Sequence, residues 1–206
     1  MTQKERRENG MLYNGYLKDN ISYQMQCIED VYDFNNIRPQ ELKKKQELAK
    51  KMFGRIGKDS FIEGPIHSNW GCRHVFIGDN FYANFNLTLV DDAHIYIGND
   101  VMIAPNVTIA TAGHPIDPEL RKQGYQFVAE VHIGNNVWIG AGAVIMPGVT
   151  IGDNAVIGAG SVVTKDIPAN VVAFGVPCKV IREIGEYDKT YYFKDRKIDW
   201  ETLTLD

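Results

Sequence analysis

The tripeptide Gly113-His114-Pro115 places a histidine where it could act as a general base. A hydroxyl group is a weak nucleophile at neutral pH, and imidazole is the side chain best suited to remove its proton near pH 7. Gly113 allows close approach of the backbone, and Pro115 restricts the chain after the histidine. A lone histidine can equally cap a turn, so the tripeptide alone leaves both roles open.

The other histidines and the cysteines are weaker candidates. Four histidines lie outside any comparable motif: His67, His74, His94 and His132. No two histidines show the H-x₃₋₅-H spacing of a compact zinc site. The three cysteines, Cys27, Cys72 and Cys178, are odd in number and far apart, which predicts neither disulfides nor a CxxC metal site. We therefore expect no metal, no covalent cysteine intermediate and a reducing, cytoplasmic environment.

A period of six residues runs through the second half of the chain. An aliphatic residue opens each hexad: Ile133, Ile139, Ile145, Ile151, Ile157 and Val163. The fifth position is small or aliphatic, and the second is often a glycine, which we expect to tolerate the turn. A similar block starts at Ile97. This period fits a short strand that turns a corner and repeats, with three sides to a coil of about 18 residues, so it predicts a parallel β-solenoid.

The repeat is interrupted once, between Ile109 and Ile133. Their separation of 24 positions is a multiple of six, so the register survives, but the sequence between them contains Pro115, Pro118 and no hexad. This predicts a loop of about residues 111–130 extruded from one corner of a coil. Long loops in compact domains commonly carry function, and His114 lies at the root of this one.

The flanks of the repeat differ from it in character. Amphipathic helices are predicted at residues 41–53 and, with a weaker pattern, at 21–34, where they would cover the open edge of the first coil. We predict an N-terminal helical cap (1–60), a solenoid domain (61–177) and a C-terminal tail (178–206). The tail aromatics are expected to fold back onto the solenoid or a neighbour: Tyr191, Tyr192, Phe193 and Trp200.

Composition excludes several classes of protein. The 206 residues are 44% hydrophobic and 23% charged, which are ordinary globular values and not those of a disordered chain or a coiled-coil rod. The net charge is -4 with no basic block, so neither nucleic acid nor an anionic membrane is an expected partner. No apolar run approaches about 18 residues, and the start, MTQKERRENG, contains no hydrophobic signal core.

Several further segments are similar to a known family. They are FYANFN (81–86), VDD (90–92), IAPNVT (103–108), GHP (113–115), ELRK (119–122), IGNNVWIG (133–140), PGVTIGDN (147–154), VIGAGSVVTKDIP (156–168) and GVPCKVIREI (175–184). They resemble the galactoside and maltose O-acetyltransferases of the hexapeptide class over about residues 30–194. The resemblance implies a mainly β fold, a left-handed parallel β-helix, and direct acetyl transfer from acetyl-CoA to a sugar hydroxyl. It also implies a homotrimer with active sites between subunits.

The resemblance assigns roles to individual residues. His114 matches the general base, and Asn84 matches a catalytic asparagine that hydrogen-bonds near the reacting centre. Asp92 and Gln126 match the sugar site, although galactoside enzymes carry an apolar residue at the position of Gln126. Asp19 is the nearest match to an N-terminal sugar-binding aspartate.

One serine and the donor site are also implied by the resemblance. The family's serine before the first coil corresponds to Ser68 or Asn69, because this chain has one extra residue between Gly71 and Gly78. Seven residues match positions that contact coenzyme A: Trp138, Ala141, Ala159, Thr164, Lys165, Lys179 and Arg182.

We predict an acetyl-CoA-dependent O-acetyltransferase that acts at a primary hydroxyl of a galactoside, glucoside or maltoside and needs no metal. Two alternatives remain open. A metal-dependent carbonic anhydrase can be built on the same solenoid from three convergent histidines. A non-catalytic scaffold is the other alternative, since repeats specify a fold and not a function.

Overall fold

The N-terminal part of the chain is helical. The structure, a computed structural model, describes residues 1–15 and 18–203, with the side chains of residues 18–21 outside that description. Its first elements are α1 (Gln3–Glu8), β1 (Tyr13–Asn14), α2 (Lys18–Asn36) and α3 (Leu42–Met52). The two predicted helices correspond to α2 and α3. Phe34, Ala49 and Met52 from these helices join the buried core of the solenoid.

The strands wind into successive coils. The first are β2 (Phe61–Ile62) and β3 (Ile66–Ser68), followed by β4 (Val75–Ile77), β5 (Tyr82–Ala83), β6 (Leu87–Val90), β7 (Ile95–Ile97), β8 (Met102–Ile103) and β9 (Thr108–Ala110). An excursion contains β10 (Ala112–Gly113), α4 (Pro118–Lys122) and β11 (Tyr125–Val128). The coils resume with β12 (Val131–Ile133), β13 (Trp138–Ile139), β14 (Val144–Ile145), β15 (Thr150–Ile151), β16 (Val156–Ile157), β17 (Val162–Val163) and β18 (Val171–Phe174). The chain continues through β19 (Lys179–Glu183), α5 (Glu186–Thr190), β20 (Tyr191–Phe193) and β21 (Arg196–Lys197).

Three parallel sheets form the faces of the solenoid. Face 1 contains β4, β7, β12 and β15; face 2 contains β2, β5, β8, β13, β16 and β18; face 3 contains β3, β6, β9, β14 and β17. The chain leaves face 2 for face 3 at the 2–3 corner and leaves face 3 for face 1 at the 3–1 corner. The predicted mainly β solenoid is confirmed.

The inward direction of the hexad residues is confirmed as well. Every first-position side chain from Ile133 to Val163 is buried, and so is every fifth-position side chain from Val137 to Ile167. Since each coil places these residues above the same residues of the preceding coil, their burial forms one continuous apolar core along the solenoid.

The hexad glycines do not have the predicted role. The turn conformation belongs to the fourth position of the hexads that begin at Ile133, Ile139 and Ile145, where Asn136, Gly142 and Gly148 have φ values of 53°, 70° and 82°. At the second position the constraint is the distance to the next coil. A Cβ atom on Gly140 would lie 2.5 Å from the backbone nitrogen of Ala159. Glycine at the second position therefore allows the coils to stack.

We expect Gly140→Ala to lower the thermal stability more than Gly142→Ala. The Gly140 methyl group would force two coils apart, at a cost of about 3 kcal/mol or more. The Gly142 methyl group would meet nothing within 4 Å, so that variant has only the backbone strain of about 1 kcal/mol. Thermal unfolding at equal protein concentration measures both, and equal shifts would contradict the stacking role of Gly140.

The extruded loop is confirmed, and it has its own structure. Strands β10 and β11 pair antiparallel, and β1 from the N-terminal segment pairs antiparallel with the other edge of β11. The resulting three-stranded sheet ties the first residues of the chain to the loop that carries His114. Sequence patterns gave no indication of this long-range pairing.

Strand pairs cross the predicted boundaries between the cap, the solenoid domain and the tail. Arg55, in the predicted cap, forms a parallel bridge with Phe76, and β19, in the predicted tail, pairs antiparallel with β18. Beyond β19, Tyr192, Phe193 and Trp200 are more than half exposed. The prediction that the tail aromatics fold back onto the solenoid or a neighbour stays a prediction. In the described part of the chain, no helix has the length and apolar character needed to cross a bilayer.

Candidate active site

His114 follows β10 at the root of the loop. Its Nδ1 atom lies 3.0 Å from the backbone carbonyl oxygen of Tyr125 in β11. A carbonyl oxygen can only accept a hydrogen bond, so Nδ1 is the protonated nitrogen and donates it. The lone pair of the neutral ring is then on Nε2, and the side chain is exposed. His114 can accept a proton from a hydroxyl at Nε2.

The loop fixes the backbone on both sides of His114. Gly113 pairs with Phe127, and a Cβ atom on Gly113 would lie 2.6 Å from the Phe127 ring. Only glycine allows this approach. After the histidine, the Arg121 guanidinium donates to the carbonyl oxygen of Pro115 over 3.0 Å. Both contacts restrict where the imidazole can point.

Two predicted sugar-site residues come from the same part of the molecule. Gln126 follows Tyr125 in β11, pairs with Tyr13 of β1, and donates from Nε2 to the Tyr13 hydroxyl. Asp19 belongs to the beginning of α2, and its side chain lies outside the described residues.

Asp92 lies at the 3–1 corner and accepts two hydrogen bonds. Asn69 Nδ2 donates to Oδ2 over 2.5 Å, and Trp70 Nε1 donates to Oδ1 over 3.1 Å. Ser68, the other candidate for the family's serine, instead donates to Asp91 over 2.7 Å. Of the two candidates, Asn69 is the residue in contact with the predicted sugar-binding carboxylate. Sequence reasoning did not single out Trp70.

A cavity of about 1010 Å³ opens beside Asp92, between α1 and the 3–1 corner. Trp70, Arg7 and Glu130 are among the residues that line it, and His114 is not. The Arg7 guanidinium lies 5.4 Å from the centre of the Trp70 ring. The cavity contacts the predicted sugar site through Asp92 but lies apart from the proposed base.

Asp91 and Cys72 are buried beneath the 3–1 corner. Burial raises the pKa of the Asp91 carboxyl, and hydrogen bonds from Ser68 and the Trp70 backbone oppose that rise. Burial also raises the pKa of the Cys72 thiol well above its ordinary value, an effect that the nearby Asp91 carboxyl increases. A buried thiol that keeps its proton is a poor nucleophile, so Cys72 is unsuited to form a thioester.

Asn84 and two donor-site alanines lie at the 2–3 corner. Asn84 Oδ1 accepts a hydrogen bond of 2.8 Å from the Phe85 backbone. Ala141 and Ala159 follow at the same corner of later coils, where Trp138 is 52% exposed on face 2. Among the described residues, the N–H groups of Ala141 and Ala159 have no hydrogen-bond partner. They are free to bind a narrow polar ligand.

The other predicted donor-site residues are divided between two places. Thr164 and Lys165 are exposed at the 3–1 corner, whereas Lys179 and Arg182 belong to β19 at the edge of face 2. Arg182 makes a bidentate pair with Asp188, with two N–O distances of 2.7 Å. This hydrogen-bonded guanidinium lowers the pKa of the Asp188 carboxyl to about 2. Asp188 is a partner that sequence reasoning missed.

One chain does not bring His114 and Asn84 together. Face 3 separates their corners, and its four-residue strand Leu87–Val90 spans roughly 13 Å at about 3.3 Å per residue. The 3–1 corner holds the predicted base His114, Gln126 and Asp92. The 2–3 corner holds Asn84 and the free N–H groups. The predicted site residues are therefore divided between two corners of the solenoid.

Two histidines beside or on face 1 contact the same carboxylate. His94 and His132 both contact the Glu130 carboxylate, at 3.0 Å and 3.4 Å. Over residues 1–15 and 18–203, no three His, Cys, Asp or Glu side chains are grouped so that they could hold a metal ion.

Known proteins resemble this chain over most of its length. Residues 6–57 match the maltose acetyltransferase hexapeptide capping motif, and residues 130–165 match the bacterial transferase hexapeptide family (six repeats). The galactoside O-acetyltransferase of Escherichia coli (strain K12) is 51% identical over 169 residues, 82% of this chain and 83% of that protein.

Two solved structures are similar in fold. A galactoside acetyltransferase in complex with coenzyme A has a TM-score of 0.92 and 49% identity, covering 97% of this chain and 99% of that one. A maltose O-acetyltransferase from Clostridium difficile 630 has a TM-score of 0.87 and 45% identity, covering 90% of this chain and 99% of that one. With half of its residues identical over four fifths of its length, the chain belongs to the galactoside O-acetyltransferase family of hexapeptide-repeat acetyltransferases.

Proposed function

We propose that this acetyltransferase moves acetyl from acetyl-CoA directly to a primary hydroxyl of a galactoside, glucoside or maltoside, with His114 as the general base. The names of the relatives support the sugar acceptor, and the coenzyme A complex of one of them supports the donor. The observation that carries the role of His114 is the Nδ1 hydrogen bond to Tyr125, because it leaves the lone pair on Nε2.

The proposed reaction uses one base and two hydrogen-bond donors. His114 Nε2 accepts the proton of the sugar hydroxyl as its oxygen attacks the thioester carbonyl carbon. The N–H group of Ala141 then donates to the oxygen that becomes negatively charged, and Asn84 donates near the same centre. When the carbon–sulfur bond breaks, the proton on His114 passes to the leaving sulfur of coenzyme A.

We propose a homotrimer whose active sites lie between subunits. The separation of His114 and Asn84 by face 3 supports this arrangement, since a neighbouring subunit could place its 2–3 corner against the 3–1 corner of the first. The exposed apolar row of Tyr82, Met102 and Trp138 on face 2 offers a surface for such contact. A cytoplasmic location is part of the proposal and is supported by three free, buried cysteines.

The function is tested by measuring release of the coenzyme A thiol from acetyl-CoA with a panel of galactosides, glucosides and maltosides. We expect release with at least one of these sugars and the same rate in the presence of a chelator. No release with any sugar would contradict the proposal. Chelator-sensitive hydration of carbon dioxide by the same protein would favour the carbonic anhydrase alternative.

The donor site predicts a selective change in acetyl-CoA binding. Lys165→Ala or Arg182→Ala should raise the KM for acetyl-CoA about tenfold, the equivalent of about 1.4 kcal/mol for one charge-assisted contact. The KM for the sugar should change little. Lys50→Ala, on the helical cap, is the control for a lost surface charge.

Arg182 needs a second control because of its partner. Asp188→Asn removes the ion pair and keeps the guanidinium. If Arg182 binds the donor, Asp188→Asn should not reproduce the rise in KM. An equal rise in the KM for acetyl-CoA in Arg182→Ala and Asp188→Asn would contradict the proposed donor site. So would an unchanged KM in both Lys165→Ala and Arg182→Ala.

A further inference from the structure

The N-terminal strand β1 contacts the loop at the proposed sugar site. We propose that Tyr13 is a positioning residue that fixes the amide of Gln126, so that Gln126 Oε1 accepts a hydrogen bond from one particular hydroxyl of the acceptor sugar. This inference rests on the proposed function. It adds a residue outside the repeat and a rule of acceptor selectivity.

Tyr13 is held in one place. Its side chain is 3% exposed, and β1 pairs with β11 so that Tyr13 lies opposite Gln126. The Tyr13 hydroxyl accepts a hydrogen bond from Gln126 Nε2. A buried tyrosine hydroxyl needs a hydrogen-bond partner, and a glutamine amide with one N–H group engaged loses most of its rotational freedom. The contact therefore restricts both side chains.

Gly15 leaves room for the amide on a second side. A Cβ atom on Gly15 would lie 3.0 Å from Gln126 Cδ, 3.1 Å from Oε1 and 3.2 Å from Nε2. The amide group therefore occupies the space that a side chain at position 15 would fill. The Gly15 N–H group donates to the Gly124 carbonyl oxygen over 3.0 Å, which holds this segment against the loop.

The backbone of Gln126 adjoins the residue that holds the proposed base. Gln126 is the neighbour in sequence of Tyr125, whose carbonyl oxygen accepts the hydrogen bond from His114. Burial raises the pKa of the Tyr13 hydroxyl, and the negative charge of Asp92 adds to that rise, so Tyr13 lies within electrostatic reach of this carboxylate. Tyr13 connects Gln126 to the same group of residues as His114 and Asp92.

The orientation of the amide determines what it can bind. Nε2 is committed to Tyr13, and within the described residues Oε1 has no hydrogen-bond partner. A fixed carbonyl oxygen with no partner in the protein can accept a hydrogen bond from a sugar hydroxyl. A C–H group in the same place would displace water from that oxygen and donate no hydrogen bond to it. A site built to bond a hydroxyl rejects the analogue that lacks it far more strongly than an apolar pocket rejects a size change.

The test uses monodeoxy analogues of the best sugar from the acceptor panel. For the wild type, we expect one analogue to have a kcat/KM at least tenfold below that of the parent sugar. Gln126→Met should abolish this discrimination, and Tyr13→Phe should reduce it about fivefold, the usual effect of one lost neutral hydrogen bond. The KM for acetyl-CoA should not change. Tyr32→Phe, at an exposed position of α2, is the matched control.

A double variant separates positioning from a general structural role. If Tyr13 acts only through Gln126, Tyr13→Phe in the Gln126→Met background should cause no further fall in kcat/KM for the parent sugar. If Tyr13→Phe does not fold, Gln126→Asn tests the same contact, because its amide is one methylene group too short to reach Tyr13 and should lose the discrimination.

The outcomes distinguish the two proposals. If the wild type is active and Tyr13→Phe discriminates between the sugars as well as the control Tyr32→Phe does, this inference alone is overturned. Where Gln126→Asn replaces Tyr13→Phe, discrimination equal to that of the control has the same meaning. So does an active wild type that accepts every monodeoxy analogue equally. An equal loss of kcat/KM for all sugars together with a lower melting temperature shows that Tyr13 is only structural. A wild type inactive with every sugar overturns the proposed function and this inference together.

Discussion

His114→Ala is expected to reduce kcat by about 10²–10⁴-fold, the usual contribution of acid–base catalysis. The KM values for acetyl-CoA and for the sugar should change little, because the proton is removed mainly in the transition state. The reaction uses the Nε2 lone pair that the Tyr125 hydrogen bond leaves available.

Folding and assembly must be recorded on the same His114→Ala protein. Circular dichroism and light scattering should show an unchanged fold and a molar mass near three times 23.2 kDa. His67→Ala, which removes another exposed histidine, is the control and should keep its kcat. A folded, trimeric His114→Ala protein with nearly normal kcat would place the chemistry elsewhere. Loss of the fold would instead show that His114 has a structural role.

Sequence reasoning succeeds here where the determining interactions are local and repeated. The burial of Ile139, Ile145 and Ile151 follows from a period of six, since every coil repeats the same inward direction. The interruption after Ile109 predicts the loop for the same reason. Gly142 has the turn conformation, and Gly140 allows the close approach of the next coil. The sequence did not predict this division, because it depends on the distance from Gly140 to Ala159 in the next coil.

The parts of the site that sequence reasoning missed depend on contacts between distant residues. The hydrogen bond between Tyr13 and Gln126 joins residues 113 positions apart, and no periodicity relates β1 to β11. Trp70 donates a hydrogen bond to Asp92, a residue 22 positions away at the 3–1 corner. Asp188 belongs to α5, outside the repeat. In each case the pairing follows from the folded chain and not from a local pattern.

The division of the site between two corners leads to the second large prediction. Asn84→Ala should lower kcat by about 10²-fold through loss of an oriented donor. Co-expression with His114→Ala should then restore activity, although each variant alone is nearly inactive. A site is intact when its His114 comes from an Asn84→Ala subunit and its Asn84 comes from a His114→Ala subunit. In randomly mixed symmetric trimers this holds for about one quarter of the sites.

The restored activity should therefore be about one quarter of the wild-type rate per site in the unfractionated mixture and about one third in purified mixed trimers, each of which has one intact site in three. Both values are at least tenfold above either parent. Differently tagged subunits allow mixed trimers to be purified and their composition checked by mass spectrometry. The two parent proteins, purified separately and combined without subunit exchange, are the control and should stay at the sum of their own activities. Mixed trimers no more active than the parents would show that His114 and Asn84 do not meet across a subunit boundary. Because face 3 separates these residues within one chain, that result would remove Asn84 from the reacting centre and leave His114 to act without it.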